Sequence, residues 1–248
     1  MQKITPSRFS FLVVAFLSAA VARAATPEIT EGLVQQRFAK GQEFARDGYG
    51  AQALKEYLWC FDEGMVAVPR YNGVRTSFLL DSIKRLANDY EPAQQAMLTH
   101  CAEAEKRLLA GDATAGLEFA AWCDALNDER RMMKTFDQLP PDDPRRRGFG
   151  MKAFRAFLSK RRYVDALSAL PFDTMIRMAE AKLSMMASSP HASDESRDAA
   201  INEVLDYIEA LAGAKQTAEA DEMIAKLKAF DPSGTTRRDI ERRVKRAN

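Results

Sequence analysis

The strongest constraint on this chain is an apolar spacing of three and four residues that runs from Glu31 almost to the C-terminus. Val34, Phe38, Gly41, Phe44 and Ala45 mark one helical face, and after Gly48 a second follows at Ala53, Leu54, Tyr57, Leu58 and Phe61. The stripe returns over Thr76–Asp89 and again over Pro92–Ala110, where Met97, Cys101, Ala104 and Leu108 align. Further helices are expected over Asp112–Ala125, Asp128–Leu139, Gly148–Lys160, Tyr163–Leu170, Asp173–Ala187, Glu195–Ala212, Ala218–Phe230 and Thr235–Arg246. No segment alternates with a strand's period of two, so the expected fold is all-α, with consecutive helices antiparallel across short turns. Pro92 suits a first helical turn and Gly111 a left-handed stop. Two longer connections, 139–147 with Pro140, Pro141 and Pro144, and the Ser-rich 188–196 with Pro190, read as loops between repeats that could also act as hinges.

Residues 1–24 read as a secretory signal: Lys3 and Arg8 precede an apolar run from Phe9 to Ala20, and Ala22-Arg23-Ala24 offers a cleavage site. The run is short of the roughly 20 residues a membrane-spanning helix needs, and no other stretch approaches that length. The expected product is one helical domain over 25–248, exported to the periplasm or beyond. Cleavage removes Lys3, Arg8 and Arg23, taking 36 bases against 35 acids to 33 against 35. Such a balance gives no global attraction to nucleic acid.

The stretch Gly41-x-x-Phe44, Gly48, Ala53-x-x-x-Tyr57 resembles a tetratricopeptide repeat. Ala166 to Leu170 before Pro171 and Ala220 to Ile224 before Pro232 repeat its second-helix element, with weaker versions at Met132 to Phe136 and around Ala96. The anchors fall 43, 36, 34 and 54 residues apart, and the middle two intervals match the family's period of about 34. The first-helix Trp and Leu of the family are missing, and Phe154 and Ile208 stand where it has Gly. The resemblance implies stacked helix hairpins in an irregular α-solenoid and a protein or peptide partner. It also implies a concave face lined by Gln35, Gln42, Arg46, Asp124, Arg155, Ser159, Asn202 and Glu209.

Signals for catalysis are few. His100 and His191 are the only histidines; His100 and Cys101 diverge by about a hundred degrees on a helix and cannot easily share a metal. His100 reads as partly buried and His191 as solvated. No cofactor or metal is expected, and no nucleophile-elbow, zinc-protease, P-loop or dinucleotide motif occurs. Asp128-Glu129 suits a helix start, whereas Asp62-Glu63 before Gly64 sits at a helix end, where acids need a partner such as an arginine. The methionine pair Met175 and Met178 reads as core filling.

The C-terminal helix carries Arg237, Arg238, Arg242, Arg243, Lys245 and Arg246 and is expected to dock through Ile240 and Val244. It is read as a solvated cap, or as a patch for an anionic envelope component. Cys60, Cys101 and Cys123 lack C-x-x-C spacing. Cys101 and Cys123 lie level, within about 3 Å, if their helices pair around Gly111; helix rotation decides whether they touch. The expected function is a noncatalytic scaffold or adaptor. The alternatives are an envelope-glycan binder and, behind it, a cell-wall enzyme whose acids converge from distant helices.

Overall fold

The computed structural model describes residues 28–189 and 191–248; the expected signal segment lies outside them. Among the described residues there is no strand. The helices are α1 (Glu31–Arg46), α2 (Gly50–Trp59), α3 (Phe78–Ala87), α4 (Glu91–Leu109), α5 (Ala115–Ala125), α6 (Glu129–Asp137), α7 (Gly150–Ser159), α8 (Tyr163–Ala169), α9 (Phe172–Ser188), α10 (Asp194–Gly213), α11 (Thr217–Phe230) and α12 (Gly234–Ala247). The fold is all-α, built from stacked antiparallel hairpins. Helices α1, α3, α5, α7 and α10 form one row and α2, α4, α6, α8 and α11 the other. Helices α2, α4, α6 and α8 each pack on the first-row helix before them and on the one after, and α11 packs on α10.

Local chemistry sets the helix ends. Thr30, Asp128, Ser193 and Ser233 accept a backbone N–H with their side chains at the starts of α1, α6, α10 and α12. Gly48 at φ 81° and Gly111 at φ 108° end α1 and α4. Asn127, Arg161 and Lys215 take the same left-handed conformation, at φ 55°, 58° and 64°, after α5, α7 and α10. Each of these five turns closes with a backbone bond from the residue after the left-handed one to a carbonyl five residues back, as Asp128 N to Cys123 O at 2.8 Å. Glycine at position 215 is therefore expected to stabilise the fold by about 0.5–1 kcal/mol, since a side chain is strained there and Lys215 is exposed. Urea unfolding of Lys215→Gly checks this; an unchanged or lower midpoint would contradict it.

Small residues bring the rods together. Ala53, Ala166 and Ala220 are buried, and a Cβ on Gly41 would come within 2.7 Å of the Tyr57 ring. Gly213 is the counterpart that the sequence reading missed: a Cβ there would sit 2.2 Å from the Tyr163 ring. Alanine at 213 is expected to lose about 1–3 kcal/mol by overpacking despite its better helix propensity. A calorimetric melting point equal to the parent's would refute that.

Three departures from regular stacking have identifiable causes. The helix expected to end near Gly64 instead continues from α2 through a π turn, Cys60–Gly64, into Met65–Ala67. Helix α9 is an insertion between α8 and α10 that packs on α10 and α11, and it accounts for the long 54-residue interval between Ala166 and Ala220. The connection after α6 holds a 3-10 helix, Pro144–Phe149, pinned to its surroundings. There Arg146 donates to Leu139 O at 2.6 Å and covers the Phe136 ring, Arg145 reaches Leu108 O, and Gly116 and Gly148 meet backbone to backbone.

Candidate functional site

Two neighbouring clefts open on the α1–α3–α5–α7 row. Gln42, Ala45 and Arg46 of α1 face Ser82, Arg85 and Leu86 of α3, with Tyr57, Asp89 and Tyr90, across about 550 Å³. Asp124 of α5, Asn127, Glu129 and Met132 face Lys152, Arg155 and Ser159 of α7 across about 300 Å³, with Cys123 also lining the space. Lys84 of α3, beside Arg85 of the first cleft, donates to Asn127 Oδ1 of the second at 3.0 Å. An ion pair between Lys152 and Asp124 bridges the second, and Arg155 reaches to within 3.9 Å of Glu203 on α10.

The structure thus brings Asp124, Arg155 and Ser159 together, and places Gln42 and Arg46 in the adjoining cleft. Gln35 and Asn202 are exposed but line neither; each bonds one turn back along its own helix, to Glu31 and to the Asp198 carbonyl. Glu209 does not belong to a concave face. It is fully buried, taking Arg243 at 2.8 Å and Arg246 at 2.7 Å from α12. The helix period hides this, because α10 is covered on several sides and a later helix seals the face that reads as solvated.

Beside the second cleft, Glu203 accepts from Lys182 at 2.6 Å and from the Tyr207 hydroxyl at 2.8 Å. Burial opposes its charge, yet these two bonds together with the positive charges of Lys182 and Arg155 outweigh it and hold the carboxyl below its ordinary value of 4.5. A depressed pKa contributes stability above the unfolded value and loses it as pH falls through the folded one. Glu203→Gln is accordingly expected to destabilise the fold at pH 7 and to match the parent near pH 3, as read by urea midpoints at the two values.

No protein-family model, no curated protein and no solved structure matches this chain.

The far side carries a cleft the sequence reading missed, of about 680 Å³, lined by Asp62, Arg75, His100, Glu103, Lys106, Arg107 and Glu118 among others. The π turn aims Asp62 so that its Oδ1 lies 3.7 Å from His100 Nδ1. The partner of Asp62 is thus a histidine, since Arg75 is taken by the Phe61 carbonyl at 2.7 Å and by Glu118 at 2.9 Å. Burial pushes the Asp62 carboxyl up. His100 is held flat against Trp122, 5.3 Å between centroids and 10° between planes. No hydroxyl or thiol lines this cleft, and no group of three metal-ligating side chains occurs among the described residues. A one-residue register shift in a helix leaves no periodic trace from which the Asp62–His100 pair could have been read.

The basic patch on α12 is divided. Arg243 is paired to Asp206 at 2.7 Å as well as to Glu209, and Arg246 to Glu209, so these two hold the helix down and do not form a free anionic-partner patch. Arg242 pairs with Asp239 one turn back, and Arg238 donates to the Thr235 hydroxyl. Arg237 and Lys245 are exposed. Ile240 is buried and Val244 packs on the core, as the docking expectation required.

Proposed function

We propose that this chain is an exported, tetratricopeptide-like docking protein that binds a peptide segment noncovalently along the α1–α3–α5–α7 row. The observation that carries the reading is the convergence of Asp124 from α5 with Arg155 and Ser159 from α7 on one cleft, on the same row as the cleft of Gln42 and Arg46. Both clefts present charges of both signs beside hydroxyl and amide groups, which suits hydrogen bonding to an extended backbone and pairing with side chains of either sign. The tetratricopeptide assignment is supported by the close Gly41–Tyr57 approach and by left-handed turns at Asn127 and Arg161, which are 34 residues apart in the sequence. Export rests on residues 1–24. No described helix is long and apolar enough to cross a membrane.

The test is selection of a random peptide library on the immobilised chain, followed by titration of enriched peptides against variants. Arg46→Glu and Arg155→Glu are expected to weaken binding at least tenfold each, because a reversed charge meets the ligand groups its parent attracted. Arg130→Glu, outside both clefts, should leave it unchanged. Enriched peptides that bind all three variants alike would place the contact elsewhere and overturn the proposal.

A further inference from the structure

Cys101 on α4 and Cys123 on α5 face each other across the Gly111 turn, Sγ to Sγ at 3.7 Å, and neither is exposed. The distance is that of a direct thiol–thiol contact, in which either sulfur can donate, between facing rods and at the level that the turn geometry predicts. We propose that Cys101 and Cys123 form a specific dithiol centre that an external small-molecule disulfide oxidises to an intramolecular bridge as the chain folds, with Cys60 left as a thiol. The partner chemistry is thiol–disulfide exchange. The Cys101 thiolate attacks one sulfur of the external disulfide, making a mixed disulfide and releasing one external thiolate. The Cys123 thiolate then attacks the Cys101 sulfur, the protein bridge forms, and the second external thiolate leaves. The two protein thiols give up two electrons and two protons; the external disulfide gains both and departs as two thiols.

Three cysteines allow three pairings, and the structure favours one of them. The α4–α5 hairpin holds 101 and 123 against each other whenever it forms, and their separation of 22 positions along the chain makes a short loop to close. The contact between the two sulfurs eases ionisation of Cys101, which therefore attacks first, and together with burial it pushes the Cys123 thiol up until Cys101 is consumed; burial pushes the Cys60 thiol up to about 12, so the choice of pair rests on the sulfur–sulfur contact. The bridge would also touch the proposed docking row, because Cys123 lines the smaller cleft and precedes Asp124. It would lock a wall of that cleft to the second-row helix behind it. The chemistry itself does not depend on peptide binding.

The experiment refolds the reduced, denatured chain in a buffer of oxidised and reduced glutathione, quenches with acid, alkylates with N-ethylmaleimide and maps the products by tandem mass spectrometry. The expected product carries one bridge, between 101 and 123, and one alkylated residue, Cys60; Cys60→Ser gives the same bridge, and Cys101→Ser gives none. The bridged chain is expected to melt at a higher temperature than the reduced chain with the same far-ultraviolet spectrum. Three alkylated cysteines at equilibrium, a bridge to Cys60, a persisting glutathione adduct at Cys101 or Cys123, or a bridged chain that melts lower would each overturn the proposal. Since the readout is made on the parent chain, misfolding of a variant does not obscure the result.

Discussion

Replacing Arg243 with alanine is expected to remove about 3–5 kcal/mol of folding stability, because it takes a partner from the buried Glu209 carboxylate. Its guanidinium lies between Asp206 at 2.7 Å and Glu209 at 2.8 Å, and Glu209 has no exposure to water. Truncation would leave two like charges facing each other with Arg246 as the remaining partner, and that side chain is 55% exposed. Burial already pushes Asp206 up even with Arg243 in place, so desolvation there is substantial. Lysine at 243 should recover only part of the loss, because a point charge cannot serve two carboxylates in the way a planar fork does. The loss should shrink on acidification, as the Asp206 carboxyl, which burial already pushes up, takes up a proton and its repulsion of the neighbouring carboxylate ends. Urea unfolding followed by circular dichroism at pH 7 and pH 4 reads both effects. A loss below about 1 kcal/mol at pH 7 would mean that α12 is held by its apolar contacts alone.

Trp122 carries the second large effect, and the substitute decides its size. The indole is fully buried against Phe61, at 4.7 Å between centroids, and against His100. Alanine there is expected to lose about 3–5 kcal/mol through lost burial and the cavity left behind. Phenylalanine should lose only about 1–2 kcal/mol, because the Trp122 Nε1 hydrogen has no acceptor among the described residues and its removal breaks no hydrogen bond. Chemical denaturation of the two variants side by side separates the contributions. Equal losses would show that the indole nitrogen has an essential partner.

The parts of this fold legible in the sequence are those governed by neighbours close along the chain. Helix period, the left-handed glycines at 48 and 111, the cap at Asp128 and the Gly41–Tyr57 contact all follow from residues within about five turns of one another. The Cys101–Cys123 level could be computed once one turn was placed, although the rotation that brings the sulfurs into contact could not. What stayed hidden depends on elements distant in the chain. Glu209 reads as an exposed acid until α12, more than thirty residues later, lies over it with Arg243. Gly213, just past the helix expected to end at Ala212, gives no sign of its role until Tyr163 of α8 is seen against it. Of the candidate cleft, Asp124, Arg155 and Ser159 could be grouped from the sequence because adjacent hairpins share a register, whereas Gln35 and Asn202 line neither cleft and bond along their own helices.

The tail helix α12 covers the flanks of α10 and α11 on which another hairpin would otherwise stack, and ties itself there through Glu209. An array with a bare last hairpin could take a second copy's first hairpin as its continuation and grow into a filament. Where α12 lies over those flanks, they are withheld from a second copy's first hairpin as a template for head-to-tail growth.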